Sequence, residues 1–476
     1  MKQLHLDKYI SIIDACPVLL HLPMKYQRHD MHQAFKREFA SLSTWRSRAV
    51  VIAASAAAGL IVVGFTQLAE SAFDVFARWI APHWWLTLLW MPLACAVIVW
   101  CVRRFAPGTA GSGIPNVMAS LDPAMPVGER SRFVSIRLSL YKAVLTAAGL
   151  LGGLSLGREG PSVQIAAGVM LAARRILPAH AAINSRGLLI AGGSAGIAAA
   201  FNTPLAGVMF AIEELARSPE QRNSGVIVAG IVLAGLIAVS INGNSTHFGV
   251  IHPGPIGAAL LWPGLLVTLV SGAVGGLFAR LLLASLANKP IDFAGRMRRR
   301  YPVRFAALCG AGVAVVGIVT HGTVFGSSNN STLMLLDGGA ASSQSFAFFK
   351  FIATWLTVWS GIPGGIFAPS LAIGAGLGDN IAALTHYPFV PALIALGMVG
   401  FLAAVTQAPL TSFIIVMEMV DGHAMVLSLM ACAVIAGTIS RVLSPPLYGA
   451  LAQQQLDTVR PTSSTGDTEP GTGQPH

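Results

Sequence analysis

Five residues, Gly157-Arg158-Glu159-Gly160-Pro161, set a carboxylate in the middle of Gly-rich apolar sequence that runs from Ala143 to Leu156 and from Val163 to Ala173. Apolar surroundings disfavour an ionised carboxyl, so such a group needs a compensating partner or a function. The neighbours suggest how it is accommodated. Gly157 and Gly160 permit unusual backbone angles and the close approach of a ligand. Pro161 suits the first turn of a helix, where a missing N–H costs nothing. The stretch therefore predicts a broken segment whose second half starts a helix near Glu159. A helix start presents unpaired N–H groups and the positive end of the helix dipole, which together attract an anion. That anion is either the Glu159 carboxylate or a solute competing with it. The plainer alternative is a glutamate that caps its own helix or pairs with Arg158.

Two further stretches share this grammar. Gly111-Ser112-Gly113-Ile114-Pro115 follows the turn Pro107-Gly-Thr-Ala110 and adds a hydroxyl to a predicted helix start. Gly364-Gly365-Ile366-Phe367-Ala368-Pro369 adds backbone N–H groups beside an aromatic ring. Three helix starts converging on one point would hold a dehydrated anion without a fixed cation, weakly enough to release it.

The elements that must position these stretches are legible as an internal repeat. Residues 157–168 and 365–376 both read G-x-x-x-P-S-x-x-I-x-x-G. Further on, Asn202-Thr-Pro204-Leu205 matches Gln407-Ala-Pro409-Leu410, and Glu213 and Glu418 follow the two prolines at the same distance. The halves are about 49–245 and 255–453. Matched broken helices in two halves mark a secondary transporter or a related channel, with its site between the halves near the midplane.

Composition sets the class. Of 476 residues, 54% are hydrophobic and only 11% charged, against roughly 25% charged in soluble domains. Mean hydropathy is +0.66. Apolar runs near spanning length begin around Ala49, Leu86, Phe133, Val226, Leu260, Phe305, Ala392 and Met425, while 187–213 and 359–378 are short or interrupted. Broken segments survive in a bilayer only when buried in protein or lining a polar cavity. The fold class is therefore an all-α polytopic membrane protein.

The net charge of +11 sits in short clusters: the amino-terminal tail, Arg103-Arg104, and Arg296 to Arg304. The positive-inside rule puts these on the cytoplasmic side. No nucleic-acid-binding motif accompanies them, so no nucleic acid is expected as a partner. Residues 1–48 read as a cytoplasmic tail with a short amphipathic stretch over 10–22 and no secretory signal. Residues 454–476 read as a polar, disordered tail. The five cysteines show no metal spacing, and four of them lie in apolar runs; they read as small buried hydrophobes. No metal and no cofactor is expected. Intramembrane enzymes need a Ser/His pair, a metal-binding His-Glu-x-x-His or paired Asp residues in spans. None is recognisable, and a transporter or channel is expected instead of an enzyme.

Gly111–Pro115, Gly157–Pro161 and Gly365–Pro369 resemble the three signature motifs of the CLC family of chloride channels and proton-coupled chloride transporters. The resemblance spans about 49–453. It implies the CLC fold, two inverted-topology repeats of tilted and broken helices, and a homodimer with one pore per subunit in a bacterial inner membrane. It implies chloride and other small anions as substrates, with protons as the coupled ion. Residue by residue, it implies that Ser112 and Tyr448 donate hydroxyls to a central chloride. Ile366 and Phe367 would add backbone N–H groups, with Gly160 in the same cradle. It makes Glu159 the gating glutamate and Glu214 the internal proton-transfer acid. Tyr448 also fits a plain interfacial aromatic. Glu213 and Glu418 read as structural, pairing or capping. Lys142, inside the run Leu138–Leu151, either adds positive potential near the pore or snorkels to a membrane edge. Glu214, an acid that channel members of the family commonly lack, favours a proton/chloride antiporter over a passive voltage- or pH-gated chloride channel. A fluoride exporter fits the Ser112 motif less well.

Overall fold

The computed structural model describes residues 42–459, apart from 124, 127, 179–182, 217–223, 244–245, 252–256, 288–292 and 338–343. The amphipathic stretch expected over 10–22 lies outside the described residues. Among the described residues there are eighteen helices and no strand. In the first half, α1 (Leu42–Trp79) and α2 (Trp84–Phe105) lead to the short α3 (Ile114–Leu121). They are followed by α4 (Ile136–Leu151), α5 (Glu159–Ala172), α6 (Ser185–Phe201), α7 (Pro204–Phe210) and α8 (Ser224–Asn242). In the second half, α9 (Ala258–Leu286), α10 (Phe293–Arg300) and α11 (Pro302–Val319) lead to the short α12 (Asn329–Leu336). They are followed by α13 (Phe346–Ser360), α14 (Phe367–Thr385), α15 (Val390–Thr406), α16 (Pro409–Met419), α17 (Val426–Leu443) and α18 (Leu447–Val459).

The repeat extends well beyond the sequence matches. Helices α6 and α15 are each 17 residues long, and each ends in a left-handed residue, Asn202 (φ 61°) and Gln407 (φ 58°). Asn and Gln at these αL stops let the chain turn sharply into α7 and α16, each with a proline in its first turn. The short α3 and α12 each have 8 residues and follow a left-handed cap, Gly113 and Ser328. Lys142 on α4 and Lys350 on α13 are separated by the same interval as Gly157 and Gly365.

Among the described residues, eight helical segments are long and apolar enough to cross a membrane, and seven coincide with the expected runs. The exception is instructive. The run beginning at Ala392 forms α15, where every residue from Ala392 to Thr406 is buried. Helix α14, expected to be short or interrupted, runs unbroken for 19 residues. The interruption falls just before it, in Gly361–Ile366. The two pack face to face, and a Cβ on Gly374 would collide with the Gly397 carbonyl. Small residues are what let two membrane helices approach this closely. At the carboxyl end, helix continues through 454–459, where a polar tail was expected. Buried Ala452 and Leu456 dock this last turn, and Gln453 donates to Asp457 at 3.0 Å.

Glu213 and Glu418 hold the halves together. The Glu213 carboxylate accepts the N–H groups of Leu410 (3.0 Å) and Thr411 (2.7 Å) at the start of α16. Glu418 accepts those of Leu205 (3.3 Å) and Ala206 (2.8 Å) at the start of α7. Each half thus caps a helix of the other, and the carboxylates are well placed for the positive helix ends. Replacing Glu418 by Gln should leave the fold intact but lower stability by about 1 kcal/mol, the usual scale of a lost charged cap. Thermal unfolding in detergent measures this; an unchanged midpoint in both Glu418→Gln and Glu213→Gln would mean that the clasp carries no weight.

Candidate functional site

Three helix starts meet, and main-chain hydrogen bonds stitch them. Gly157 N–H donates to Gly365 O at 2.8 Å and Gly365 N–H to Gly157 O at 2.7 Å, a two-residue antiparallel bridge. Gly364 N–H donates to Gly111 O at 3.1 Å. This leaves no space for side chains at the crossing. A Cβ on Gly160 would strike Ser112 Oγ, and one on Gly157 would strike the Glu159 carboxylate. Glycine is required here by close approach, since neither residue has a positive φ. Gly113 is the conformational case, with φ +99° at the cap of α3.

Glu159 opens α5 and is 2% exposed. Its carboxylate faces the backbone N–H groups of Arg158, of Glu159 itself and of Ala368 in the first turn of α14. The acid thus lies across the starts of two helices from different halves. Arg158 does not pair with it. Its guanidinium turns the other way, to Glu70 and the Thr66 carbonyl on α1.

Beside this crossing stand two buried hydroxyls. Tyr448, in the first turn of α18, is 1% exposed, and neither its Oη nor Ser112 Oγ has a hydrogen-bond partner in the protein. Buried polar atoms are normally satisfied, so an orphaned pair beside helix starts marks a place built for an acceptor. The Ser112 hydroxyl and the Tyr448 phenol are within interaction range of each other, and both Glu159 and Glu214 are within electrostatic reach of Tyr448. Phe367 stacks on Tyr448 with ring centres 6.1 Å apart and planes at 12°, which fixes the phenol over the start of α14. Ile366 is the N-cap of α14 and Phe367 its first residue, so their N–H groups are among those a helix leaves without an internal partner. The structure therefore brings Ser112, Glu159, Gly160, Ile366, Phe367 and Tyr448 to one crossing.

Glu214 lies elsewhere. It is buried in a π-helical continuation of α7, Ala211–Ala216, and lines a cavity of about 210 Å³ with Asp122, Arg186 and Gln453. A second cavity, about 260 Å³, is lined by Ser112, Ile366, Tyr448 and Arg298. A third, about 340 Å³, is lined by Glu70, Asp74, Arg158 and Asn329. Arg158 lines the third, Gly160 packs against Ser112 of the second, and Glu159 is buried between those neighbours. No cluster of metal-ligating side chains exists among the described residues.

Lys142 is fully buried and does not snorkel. Its Nζ donates to Thr109 O at 2.9 Å and Gly111 O at 2.6 Å, in the loop that carries Ser112. Its repeat mate Lys350 was missed from sequence. That ammonium donates to Val324 O at 3.1 Å and Gly326 O at 2.8 Å, in the loop before α12. The equal spacing of the two lysines and the two central glycines was the available signal. The pair Arg158–Glu70 had no comparable signal, because its partners lie far apart in sequence.

Known proteins resemble the chain along most of its length. The family model for voltage gated chloride channels matches residues 94–441. An H(+)/Cl(-) exchange transporter ClcA of Cronobacter sakazakii is 30% identical over 420 residues, covering 82% of this chain and 87% of that one. A ClcA of Klebsiella pneumoniae is 29% identical, covering 84% and 86%. Among solved structures, a slow cyanobacterial Cl-/H+ antiporter superposes with a TM-score of 0.73 at 25% identity, covering 87% of this chain and 98% of that one. A CLC-type fluoride/proton antiporter shares the fold, with a TM-score of 0.69 at 20% identity over 85% and 97% of the two chains.

The crossing predicts a sensitive position. Gly160→Ala places a methyl where Ser112 Oγ sits, so the protein should lose about 1–3 kcal/mol of stability, as overpacked cores do. Halide binding by titration calorimetry should weaken in parallel. Unchanged halide binding in a folded Gly160→Ala protein would show that Ser112 does not belong to an anion site.

Proposed function

This chain belongs to the voltage-gated chloride channel family, CLC, and we propose that it exchanges chloride for protons across a membrane, with Glu159 as the group the two ions share. The observation that carries this reading is the Glu159 carboxylate lying across helix-start N–H groups, next to the unpartnered hydroxyls of Ser112 and Tyr448. A carboxylate and a chloride carry the same charge and seek the same donors. Ionised, Glu159 occupies N–H groups of α5 and α14; a protonated carboxyl has a weaker claim on them, and chloride replaces it. Uptake of an anion and uptake of a proton at one place then favour each other, which is a coupling free energy. The Ser112 and Tyr448 hydroxyls donate to the same ion, joined by the Ile366 and Phe367 N–H groups and by the bare backbone at Gly160.

Exchange needs a separate way in for the proton, or the anion would have to pass it. Glu214 supplies that way: it lines a cavity that does not include Ser112. Arg103, Arg104 and the arginines of α10 support placing their ends of the helices, and the amino terminus, on the cytoplasmic side of a bacterial inner membrane. A homodimer with one pore per subunit completes the proposal. Exposed apolar side chains on α7, its continuation and α16, Leu205, Ile212 and Leu410, suit a second copy as they suit lipid.

Two substitutions test the roles in proteoliposomes. Glu159→Gln should move chloride passively with no accompanying proton flux, because the competing charge is gone. Glu214→Gln should still carry chloride, while a chloride gradient no longer drives a pH change. Proton pumping that survives Glu159→Gln would remove that residue from the mechanism. A wild-type protein that conducts chloride at the pure chloride reversal potential would make it a passive channel.

A further inference from the structure

Tyr448 and Ser112 sit on separate elements, α18 and the loop before α3, and no main-chain hydrogen bond that spans those two elements is present among the described residues. Helices α18 and α3 pack along their lengths, and a side-chain hydrogen bond further along the same seam adds to that packing. Gln455 follows Tyr448 by seven residues, two helical turns, and so lies on the same face of α18. Asn116 lies on α3 just beyond Ser112. Gln455 Nε2 donates to Asn116 Oδ1 at 3.0 Å. The α18–α3 seam thus has two rungs: the neighbouring hydroxyls of Ser112 and Tyr448, which have no hydrogen-bond partner in the protein, and the hydrogen-bonded Asn116–Gln455 amides. Both rungs line the same cavity.

The amide rung is tied to the helix of Glu159. Asn116, 3% exposed, donates its Nδ2 to Gly108 O at 2.7 Å. The same carbonyl accepts Gln164 Nε2 at 3.0 Å, and Gln164, fully buried on α5, also donates to Phe133 O at 2.7 Å. With Lys142 on Thr109 O and Gly111 O, three carbonyls of the Ser112 loop are held by buried side-chain donors. The negative carbonyl ends of this loop are thereby engaged by donors of the protein itself.

We infer that the Asn116–Gln455 hydrogen bond is a latch that sets the gap between Ser112 and Tyr448, making both amides positioning residues for chloride retention and for faithful coupling to protons. The latch rests on the exchanger reading above. An anion leaving between the two hydroxyls needs α18 to tilt from α3, and the amide rung resists that tilt. Loss of the rung widens the mouth, lets chloride slip past Tyr448 without a proton, and leaves the Glu159 and Glu214 chemistry in place.

The test uses full-length protein in proteoliposomes, with reversal potentials under crossed chloride and pH gradients and chloride affinity by calorimetry. Gln455→Leu keeps the bulk of the side chain and removes the bond. Chloride affinity should fall about fivefold, the scale of one net hydrogen bond. The ratio of protons to chlorides should fall while chloride turnover rises. Asn116→Ala removes this bond and the one to Gly108 O, so it should weaken chloride at least as much, and the double variant should be no worse than Asn116→Ala alone, since the rung is already lost there. The exchanged pair Asn116→Gln with Gln455→Asn keeps the summed length of the rung and should recover most of the ratio, which a purely structural role would not require. A wild-type ratio and affinity in Gln455→Leu, beside a wild type that exchanges normally, would overturn the latch alone. Additive losses in the double variant would overturn it as well. A wild type without proton movement would instead overturn the exchanger reading, and with it any latch for coupling.

Discussion

The structure depends on two glycines exchanging a pair of main-chain hydrogen bonds. Gly157 and Gly365 occupy matching places in the two halves, and their bridge brings the starts of α5 and α14 together, where the Glu159 carboxylate faces the N–H of Ala368. Helix starts carry partial positive charge that fades within the first turn, so their separation decides whether they act together. A side chain at the crossing would force them apart. The close approach requires glycine for lack of room, and the same lack of room leaves N–H groups as the main donors.

From that crossing the rest of the electrostatics follows. The Arg158 cation, adjacent in sequence to Glu159, is diverted to Glu70 on α1. Lys142 and Lys350 are fully buried, and their ammonium groups are spent on loop carbonyls. No full positive charge therefore makes direct contact with the Glu159 carboxylate among the described residues. A site of dipoles and hydroxyls without a contacting cation suits the reversible anion binding that the proposed exchange requires. The buried lysines thereby tie down the loops before α3 and α12, so they act on loop geometry.

The two halves are joined by more than the bridge. Glu213 and Glu418 each cap a helix of the opposite half. Helices α14 and α15 pack through glycines as α5 and α6 do, and those tight pairs form the buried centre. Against this body α18 packs on α3, α9 and α15 and buries Leu447, Tyr448, Ala452 and Leu456. It touches the site through Tyr448 and is held by Phe367 stacking and by Gln455.

Local patterning determined much of this protein. Gly and Pro at matched spacings marked all three helix starts, because those residues alone combine close approach with a helix-compatible break. Apolar runs of spanning length declared seven of the eight long helices. The repeat declared that the starts belong together, and the equal offsets of Glu213 and Glu418 declared a matched pair of structural acids, with pairing and capping both left open. What remained hidden were contacts between segments far apart in the chain. Whether Arg158 meets Glu159 or Glu70, whether Lys142 reaches a membrane edge or a loop carbonyl, and that Gln455 meets Asn116 were decided by packing. So was the burial of α15, whose apolar run reads like any lipid-facing span. Sequence patterns register what a residue requires of its own segment; which distant segment supplies it is settled only when the helices are packed.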